Sequence, residues 1–306
     1  NWVAFANGPV RLPPSFCDGK LYFGCDDGCV YCIRCDSGDI VWRYEASPGG
    51  AQVPIDGRLT SLWPCRTGVL VQDSRVYFAA SLLPWQETYL CALDAQTGTT
   101  DGAGLYRRQY EQMTAQGPML ASDARLYLSQ GRQAPLIFER ATGNRIQSLG
   151  SSGFGGVFGL LTTDSMFIHG HGQNHRADGE LRFFGGAQND LLVTFPRATS
   201  IVIHNDIVYL HADERLQAFD RVRYLDLQAQ INSLQASIQQ LQEQKKKLPD
   251  NASESQRQQL DAQIAAAQAE NSTLQAKLPT CFLWRVESDC PLTLILAGDT
   301  LFAGGE

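Results

Sequence analysis

Three of the five histidines fall within residues 169–175. His169 and His171 are two residues apart, so on a β-strand both side chains point to the same face, and His175 follows four residues later. Three imidazoles in this arrangement suit zinc, copper or iron. The segment predicts a transition-metal site at His169, His171 and His175. The alternative is a set of polar strand-end histidines that bond to backbone groups or line a solvated face.

A second group of residues with metal-binding chemistry contains four closely spaced cysteines: Cys25, Cys29, Cys32 and Cys35. Thiolates at such spacing bind zinc or iron–sulfur clusters. Strand parity, however, places Cys29 and Cys32 on opposite faces. The pattern therefore favours small core residues or a local disulfide over a metal site. Cys281 and Cys290 are a further candidate bridge if the protein resides in an oxidising compartment.

The elements that would position these residues form a repeat. A short apolar strand with a central aromatic residue recurs at intervals of roughly 40–55 residues, the period of propellers and solenoids. The last interval, from Tyr209 to Phe302, is about twice as long. The aromatic residues of the successive copies are Tyr22, Tyr77, Tyr127, Phe167, Tyr209 and Phe302.

The second half of each copy ends in a turn with a common sequence. Segments 32–38, 92–98 and 137–143 align without gaps, and each ends in Ser-Gly or Thr-Gly. An acidic or hydroxyl side chain can bond turn amides there, and glycine can adopt positive φ. Trp42 follows the first of these turns and is large enough to pack between neighbouring sheets. The pattern predicts consecutive antiparallel blades.

This repeated sequence pattern resembles the PQQ-like, quinoprotein-type β-propeller repeat. In order, the pattern consists of a strand, Asp-Gly, a second strand, Asp-x-x-Thr-Gly and Trp. Residues 18–45 carry the fullest match, and a weaker match covers about residues 10–224 and resumes at 281. The resemblance implies an all-β propeller of four-stranded antiparallel blades, with seven or eight blades in a full ring. About five and a fraction are present here, because Leu301 and Phe302 begin a sixth copy. The sequence is accordingly expected to be a fragment.

The family includes quinoprotein alcohol dehydrogenases and outer-membrane assembly lipoproteins, so it is compatible with both enzymes and binding modules. The dehydrogenases use two sequence-adjacent cysteines, a tryptophan floor and carboxylates on calcium. This sequence has no adjacent cysteine pair and no evident calcium-binding set. The visible residues argue against PQQ as a cofactor and leave any other cofactor unassigned.

The long interval in the repeat contains a different periodicity. Apolar residues at 227, 231, 234, 238, 241 and 248, and at 260, 264, 267, 274 and 278, follow heptad spacing. Such spacing predicts two helices of about 20 residues that form an antiparallel coiled-coil hairpin about 30 Å long. Lys245 and Asn271 occupy seam positions, where polar residues can specify register. The predicted organisation is therefore blades over 1–224, the helical hairpin over 225–279 and a resumed propeller over 280–306.

The hairpin permits two interpretations. One is a spacer whose seam is satisfied internally, and the other is an arm whose outer faces bind a protein partner or a second copy. A long projecting arm contributes little to the stability of a propeller, which favours docking. His204 and His211, in the fifth copy of the strand pattern, are candidate additional ligands to the site at His169, His171 and His175, and a metal bound there would support an oxidoreductase.

Composition limits the remaining choices. The formal net charge of −7 argues against nucleic-acid binding, and no apolar run is long enough to span a membrane. The sequence as a whole favours a non-catalytic binding or assembly module with a docking arm. A quinoprotein-like or metal-dependent oxidoreductase and a structural subunit of a surface or envelope assembly are the alternatives. The family resemblance implies a periplasmic, secreted or cell-surface location.

Overall fold

A computed structural model describes residues 2–55, 57–131, 133–149, 158–163, 166–170, 179–185, 189–249, 253–290 and 292–305. The chain divides into two compact units. The first comprises Asn1–Ala177 and Phe184–Asp190, and the second comprises Asp178–Phe183 and Leu191–Glu306.

The first unit contains three four-stranded antiparallel sheets among its described residues, each with its strands in chain order. The first sheet contains β1 (Ser15–Cys17), β2 (Lys20–Gly24), β3 (Cys29–Arg34) and β4 (Ile40–Glu45). The hairpin β5 (Gln52–Ile55) and β6 (Arg58–Ser61) follows it. The second sheet contains β7 (Leu70–Gln72), β8 (Arg75–Ala80), β9 (Thr88–Asp94) and β10 (Tyr106–Tyr110). The third contains β11 (Met119–Ala121), β12 (Arg125–Leu128), β13 (Leu136–Glu139) and β14 (Arg145–Ser148).

The strands β15 (Phe158–Leu161) and β16 (Phe167–Gly170) form an antiparallel pair, and β17 (Glu180–Gly185) and β18 (Asp190–Pro196) come next in the chain. The sheet that lies within the second unit consists of β19 (Ala198–His204), β20 (Ile207–Ala212), β21 (Arg215–Asp220) and β22 (Phe282–Glu287). Between its last two strands lie helix α1 (Arg221–Lys246), helix α2 (Glu254–Lys277) and a short 3-10 helix (Leu278–Cys281). The strands β23 (Thr293–Ala297) and β24 (Thr300–Gly304) form the last hairpin.

Neighbouring sheets meet through their first strands. β1 contacts β7 and β11 contacts β15 in the first unit, and β19 contacts β23 in the second. Central strands are the most buried, since they are covered on both faces. Tyr22 and Val30 of the first sheet share one apolar core with Val76 and Phe78 of the second. This face-to-face stacking of four-stranded sheets, edge strand beside edge strand, is the packing of propeller blades.

An aromatic residue from the preceding segment of chain covers each of the three aligned turns that end at Gly38, Gly98 and Gly143. Trp42 Nε1 donates to Ala95 O (3.1 Å), and the Trp42 ring lies against Gly98. Tyr106 OH donates to Arg140 O (3.2 Å) and its ring lies against Gly143. The position assigned to Trp42 by the sequence, between neighbouring sheets, is therefore confirmed.

Trp2 makes the same contact one step earlier in the chain. Its Nε1 donates to Cys35 O (2.9 Å), and a Cβ added to Gly38 would lie 2.6 Å from the Trp2 ring. Cys35 aligns with Ala95 in the repeat. The ring-on-turn contact is therefore a regular feature of the first unit, and we refer to it as the turn latch.

The structure confirms the predicted fold class, all-β with four-stranded antiparallel propeller blades plus two helices. Neither of the described helices combines the length and the apolar character that a membrane crossing requires.

Candidate functional site

The two helices follow directly after β21, in the sheet formed by β19, β20, β21 and β22. Asp220 ends β21 and also caps α1, since its carboxylate accepts a hydrogen bond from Arg223 N (3.0 Å). After the helices, β22 pairs with β21, with Phe219 opposite Phe282 and Ala218 opposite Trp284. The helices thus occupy the place of the Thr-Gly turn found in the other sheets. We call the segment from Arg221 to Cys281 the arm.

The arm folds back on itself. Near its tip, Lys245 of α1 forms an ion pair with Asp261 of α2, and near its base Arg223 Nη2 donates to Thr280 Oγ1 (3.0 Å). These contacts join the end of α1 to the start of α2 and the start of α1 to the chain after α2, so the helices are antiparallel. They contain 26 and 24 residues, which corresponds to about 36–39 Å. The arm is longer than predicted because α1 begins immediately at the end of a strand.

The predicted seam residues are the least exposed on the arm beyond its first turns. Ile231, Ile238 and Leu274 are buried, and the other apolar seam positions are partly buried. Those positions are Leu227, Leu234, Leu241, Leu248, Leu260, Ile264, Ala267 and Leu278. The remaining residues of α2 are exposed except for Asn271. The apolar surface of the arm is therefore spent between its own helices.

The two polar seam residues behave differently. Lys245 is about as exposed as its partner Asp261, which makes their pair a surface interaction of small energetic value. Asn271 is partly buried, and its Oδ1 is buried without a hydrogen-bond partner among the described residues. An unsatisfied amide in a seam costs stability. This cost is consistent with the predicted role of Asn271 in setting the register.

A cluster of aromatic side chains anchors the base of the arm. Tyr224, in the first turn of α1, lies 5.7 Å from Phe195, 5.0 Å from Phe219 and 5.6 Å from Phe282 between ring centroids. Burial raises the pKa of Tyr224. Asn232 Nδ2, two turns further along, donates to Leu192 O (2.9 Å). The lower part of α1 is fixed to the strands of its unit, whereas the upper part projects from them.

This aromatic cluster was not predicted from the sequence. Phe195 comes from β18, Phe219 from β21 and Phe282 from β22, so the residues are distant in the sequence. One signal in the sequence could have indicated the cluster. Tyr224 is an aromatic residue in the first turn of the first helix that does not fit the heptad pattern, and Phe219 and Phe282 flank the inserted helices.

The predicted metal site lies mostly outside the described residues. His171 and His175 are not described, and for His169 only the backbone position in β16, opposite Gly159, is known. No group of three or more potential metal ligands occurs among the residues that the structure describes. The three-histidine site therefore stays a prediction.

The structure separates the two histidines proposed as additional ligands. On the β19–β20 hairpin, His204 pairs with Ile207 near the turn, whereas His211 pairs with Ser200 at the other end. His211 is buried. Its Nε2 donates to Ser288 O (3.0 Å), and its Nδ1 accepts from Thr199 Oγ1 (3.1 Å). Both ring nitrogens of His211 are thus used in structural bonds.

The four clustered cysteines do not converge. Cys25 and Cys29 belong to one apolar cluster and Cys32 to another, on the opposite face as strand parity predicts, whereas Cys35 is exposed in the turn. Burial raises the pKa of Cys25 to about 12 and that of Cys29 to about 11. Both thiols are therefore neutral at physiological pH in this structure. All nine cysteines are free, including Cys281 and Cys290.

No family model and no curated protein matches the chain. Solved structures with a similar fold include BamB from Moraxella catarrhalis, with 17% identity and a TM-score of 0.48 over 72% of this chain and 63% of that one. Quinohemoprotein alcohol dehydrogenase ADHIIG from Pseudomonas putida HK5 has 12% identity and a TM-score of 0.45 over 71% and 41%. The corresponding enzyme from Comamonas testosteroni has 14% identity and a TM-score of 0.46 over 70% and 42%.

These structures are PQQ-like β-propeller proteins, the group whose repeat the sequence resembles. The chain spans less than two thirds of the length of BamB and about two fifths of each dehydrogenase. The class of this protein, an all-β protein of propeller blades, follows from its own stacked sheets and repeated turns. That class does not choose between a binding module and an enzyme.

Proposed function

We propose that the protein is a non-catalytic binding or assembly module in which the arm docks a protein partner or a second copy of the chain. The observation that carries this proposal is the distribution of burial along the arm. The apolar seam is covered by the arm's own helices, the base is fixed by the aromatic cluster, and the outward faces of the upper arm are exposed. A rigid rod with free polar faces suits recognition by its surface residues.

The resemblance to quinoprotein-type propellers supports a location in the periplasm, outside the cell or on its surface. In such a location the arm would reach a partner about 36–39 Å from the blade that carries it. The boundaries proposed for the organisation remain 1–224 for the blades, 225–279 for the helical hairpin and 280–306 for the resumed propeller.

The docking role is tested by placing a photo-crosslinking residue on the exposed faces of the arm. Gln240 on α1 and Gln268 on α2 are exposed positions off the seam. We expect crosslinkers at both positions to give the same discrete adduct in cells of the source organism, because a partner that binds the arm contacts both helices. Asp36, exposed in the turn after β3, is the control position and should give none.

A variant without the arm completes the test. Residues 221–281 are replaced by a turn of the Cys35–Asp39 type, which the pairing of β21 with β22 permits. The variant without the arm should retain its β-sheet circular dichroism. Crosslinking residues placed beside its new turn should give no adduct. An adduct of twice the chain mass would identify self-association. Failure of both arm positions to crosslink, or an equal adduct from Asp36, would refute docking by the arm.

The metal site at His169, His171 and His175 remains a proposal for the same chain. Substituting each residue by alanine should weaken Zn²⁺ or Cu²⁺ binding at least about tenfold, because a ligand is removed from a three-imidazole set. Asp36→Ala is the control, since Asp36 is exposed in the turn after β3. Titration calorimetry and metal analysis of the purified protein provide the measurement. Equal affinities in all four variants would eliminate this site.

A further inference from the structure

At the base of the arm lies a cavity of about 200 Å³ that neither the repeat nor the docking role explains. All of its lining belongs to the second unit. Three aromatic side chains form its apolar wall: Phe195 from the end of β18, Tyr224 from α1 and Phe282 from β22. Two arginines, Arg215 of β21 and Arg285 of β22, also line it. Such a combination of apolar surface with a few convergent polar groups is typical of ligand sites.

The strand register brings the two arginines to one face. Arg285 pairs directly with Gln217, and Arg215 lies two residues before Gln217 on the same strand. The two arginines are therefore diagonal neighbours, about 7–8 Å apart and within reach of long side chains. Gln217 is buried between them and also lines the cavity.

In the described part of the chain no ion pair joins Arg215 or Arg285 to a carboxylate, although the register places Glu287 directly opposite Arg215. The carboxylate in the lining, Asp213, is bonded to Arg197 instead. The Arg285 guanidinium lies over the Phe282 ring, 3.2 Å from its centroid. Burial and the neighbouring Arg215 lower the pKa of Arg285. Two guanidiniums line the cavity beside a single carboxylate, Asp213, that is already bonded to Arg197, and this arrangement favours the entry of an anion.

We propose that this cavity binds a carboxylate carried on an apolar, preferably aromatic, body. The guanidiniums supply paired N–H donors that match the two oxygens of a carboxylate. The rings of Phe195, Tyr224 and Phe282 cover the apolar part of the ligand. The volume is below the range that holds drug-sized molecules, so the occupant is a single ring or side chain with its acid group. Both a free aromatic acid and the terminal residue of a peptide have this chemistry.

The first experiment uses 4-fluorobenzoate as the probe and the neutral 4-fluorobenzamide as its isostere. Binding to the full chain is followed by ¹⁹F NMR at moderate salt concentration. We expect the acid to bind and the amide to bind at least about tenfold more weakly, because the amide cannot form charge-assisted bonds. Equal binding of the two probes, or no binding of the acid at millimolar concentration, would overturn the proposal.

Variants assign the binding to the cavity. Arg215→Gln and Arg285→Gln should each weaken the acid about tenfold, and the double variant should abolish binding. Both side chains are exposed, so the fold should survive, which circular dichroism verifies. Arg257→Gln, near the start of α2 and remote from the cavity lining, is the control and should bind normally. Unchanged affinity in Arg215→Gln and Arg285→Gln would place the ligand elsewhere and refute the assignment.

A further comparison distinguishes the two sources of the ligand. A short peptide with a free C-terminal phenylalanine is compared with its C-terminal amide and with 4-fluorobenzoate. Tighter binding of the peptide acid indicates a chain terminus, whereas tighter binding of fluorobenzoate indicates a free acid, and either result supports the cavity chemistry. This measurement does not depend on the arm-docking role, because crosslinking at Gln240 and Gln268 is scored separately.

Discussion

Replacing Arg66 with alanine is expected to lower the free energy of unfolding by about 3 kcal/mol, because the buried carboxylate of Asp26 then keeps only one of its two arginine partners. Asp26 is 1% exposed. Arg66 binds it through two parallel bonds, Nε to Oδ1 and Nη2 to Oδ2, both 2.8 Å. Arg11 Nε adds a bond to Oδ2 (2.7 Å). Arg11 is half exposed, so its remaining bond compensates only partly.

The position of this ion pair explains the size of the effect. Asp26 follows β2, and its backbone also accepts a bond from Ser61 N (3.0 Å), while Asp26 N donates to Pro9 O (3.0 Å). Arg66 lies in the segment that leads from β6 to β7. The carboxylate therefore joins the first sheet to the connection that enters the second, and its loss affects both.

Denaturant unfolding measures the change, and Arg34→Ala is the matched control. Arg34 pairs with Asp36, and both side chains are more than half exposed, so that substitution should cost less than about 1 kcal/mol. Equal costs for Arg34→Ala and Arg66→Ala would show that the buried pair has no special role.

The ion pair also predicts a dependence on pH. Burial alone would raise the pKa of Asp26, but the bonds from Arg66 and Arg11 outweigh burial, and its pKa is lowered. A carboxyl group with a lowered pKa in the folded state contributes stability that is present above its ordinary value, about 3.9, and is lost as the pH falls through the folded value. The wild-type protein should lose this stability below about pH 4, and the Arg66→Ala variant should lose less of it.

Substituting Gly98 with alanine is the second change with a large expected effect, about 3 kcal/mol of lost stability. Gly98 has φ of +69°, and an added Cβ would lie 2.5 Å from the Trp42 ring. The alanine variant therefore pays the left-handed backbone strain, about 1–2 kcal/mol, and also displaces the Trp42 ring, which is comparable to overpacking a core. The displaced ring would lose its bond to Ala95 O.

Gly19 offers a control that separates the two contributions. Its φ of +71° is nearly the same, but an added Cβ would have no atom within 4 Å. Gly19→Ala should therefore show only the backbone strain. Thermal or denaturant unfolding of both variants gives the difference, which measures the turn latch. A cost for Gly98→Ala no larger than that for Gly19→Ala would show that the aromatic ring adjusts freely.

The features predicted correctly from the sequence are those with a local, repeated signal. The alternation around Tyr22 and Tyr77, the Thr-Gly turns and the two helices of the arm each have a signal that lies within one strand, turn or helix. The same strand and turn pattern recurs in several copies, so each copy supports the assignment of the others. The blades were therefore predictable without knowledge of the contacts between them.

The features that were missed depend on contacts between distant segments. Asp26 and Arg66 are forty positions apart, and no local pattern shows that the carboxylate is buried. Likewise, Arg215 and Arg285 become neighbours only after the arm between them has folded and β22 has paired with β21. Periodicity reports which face of an element is apolar, but it does not report which charged residues a later strand will bring beside it.

The direction of the turn latch has a consequence for how the chain matures during synthesis. In each case the aromatic ring comes from an earlier residue than the turn it covers: Trp2 before Gly38, Trp42 before Gly98 and Tyr106 before Gly143. The ring has therefore already left the ribosome when its turn emerges. Each new blade can be locked by its predecessor without waiting for any later part of the chain, so assembly can proceed stepwise from the first blade onward.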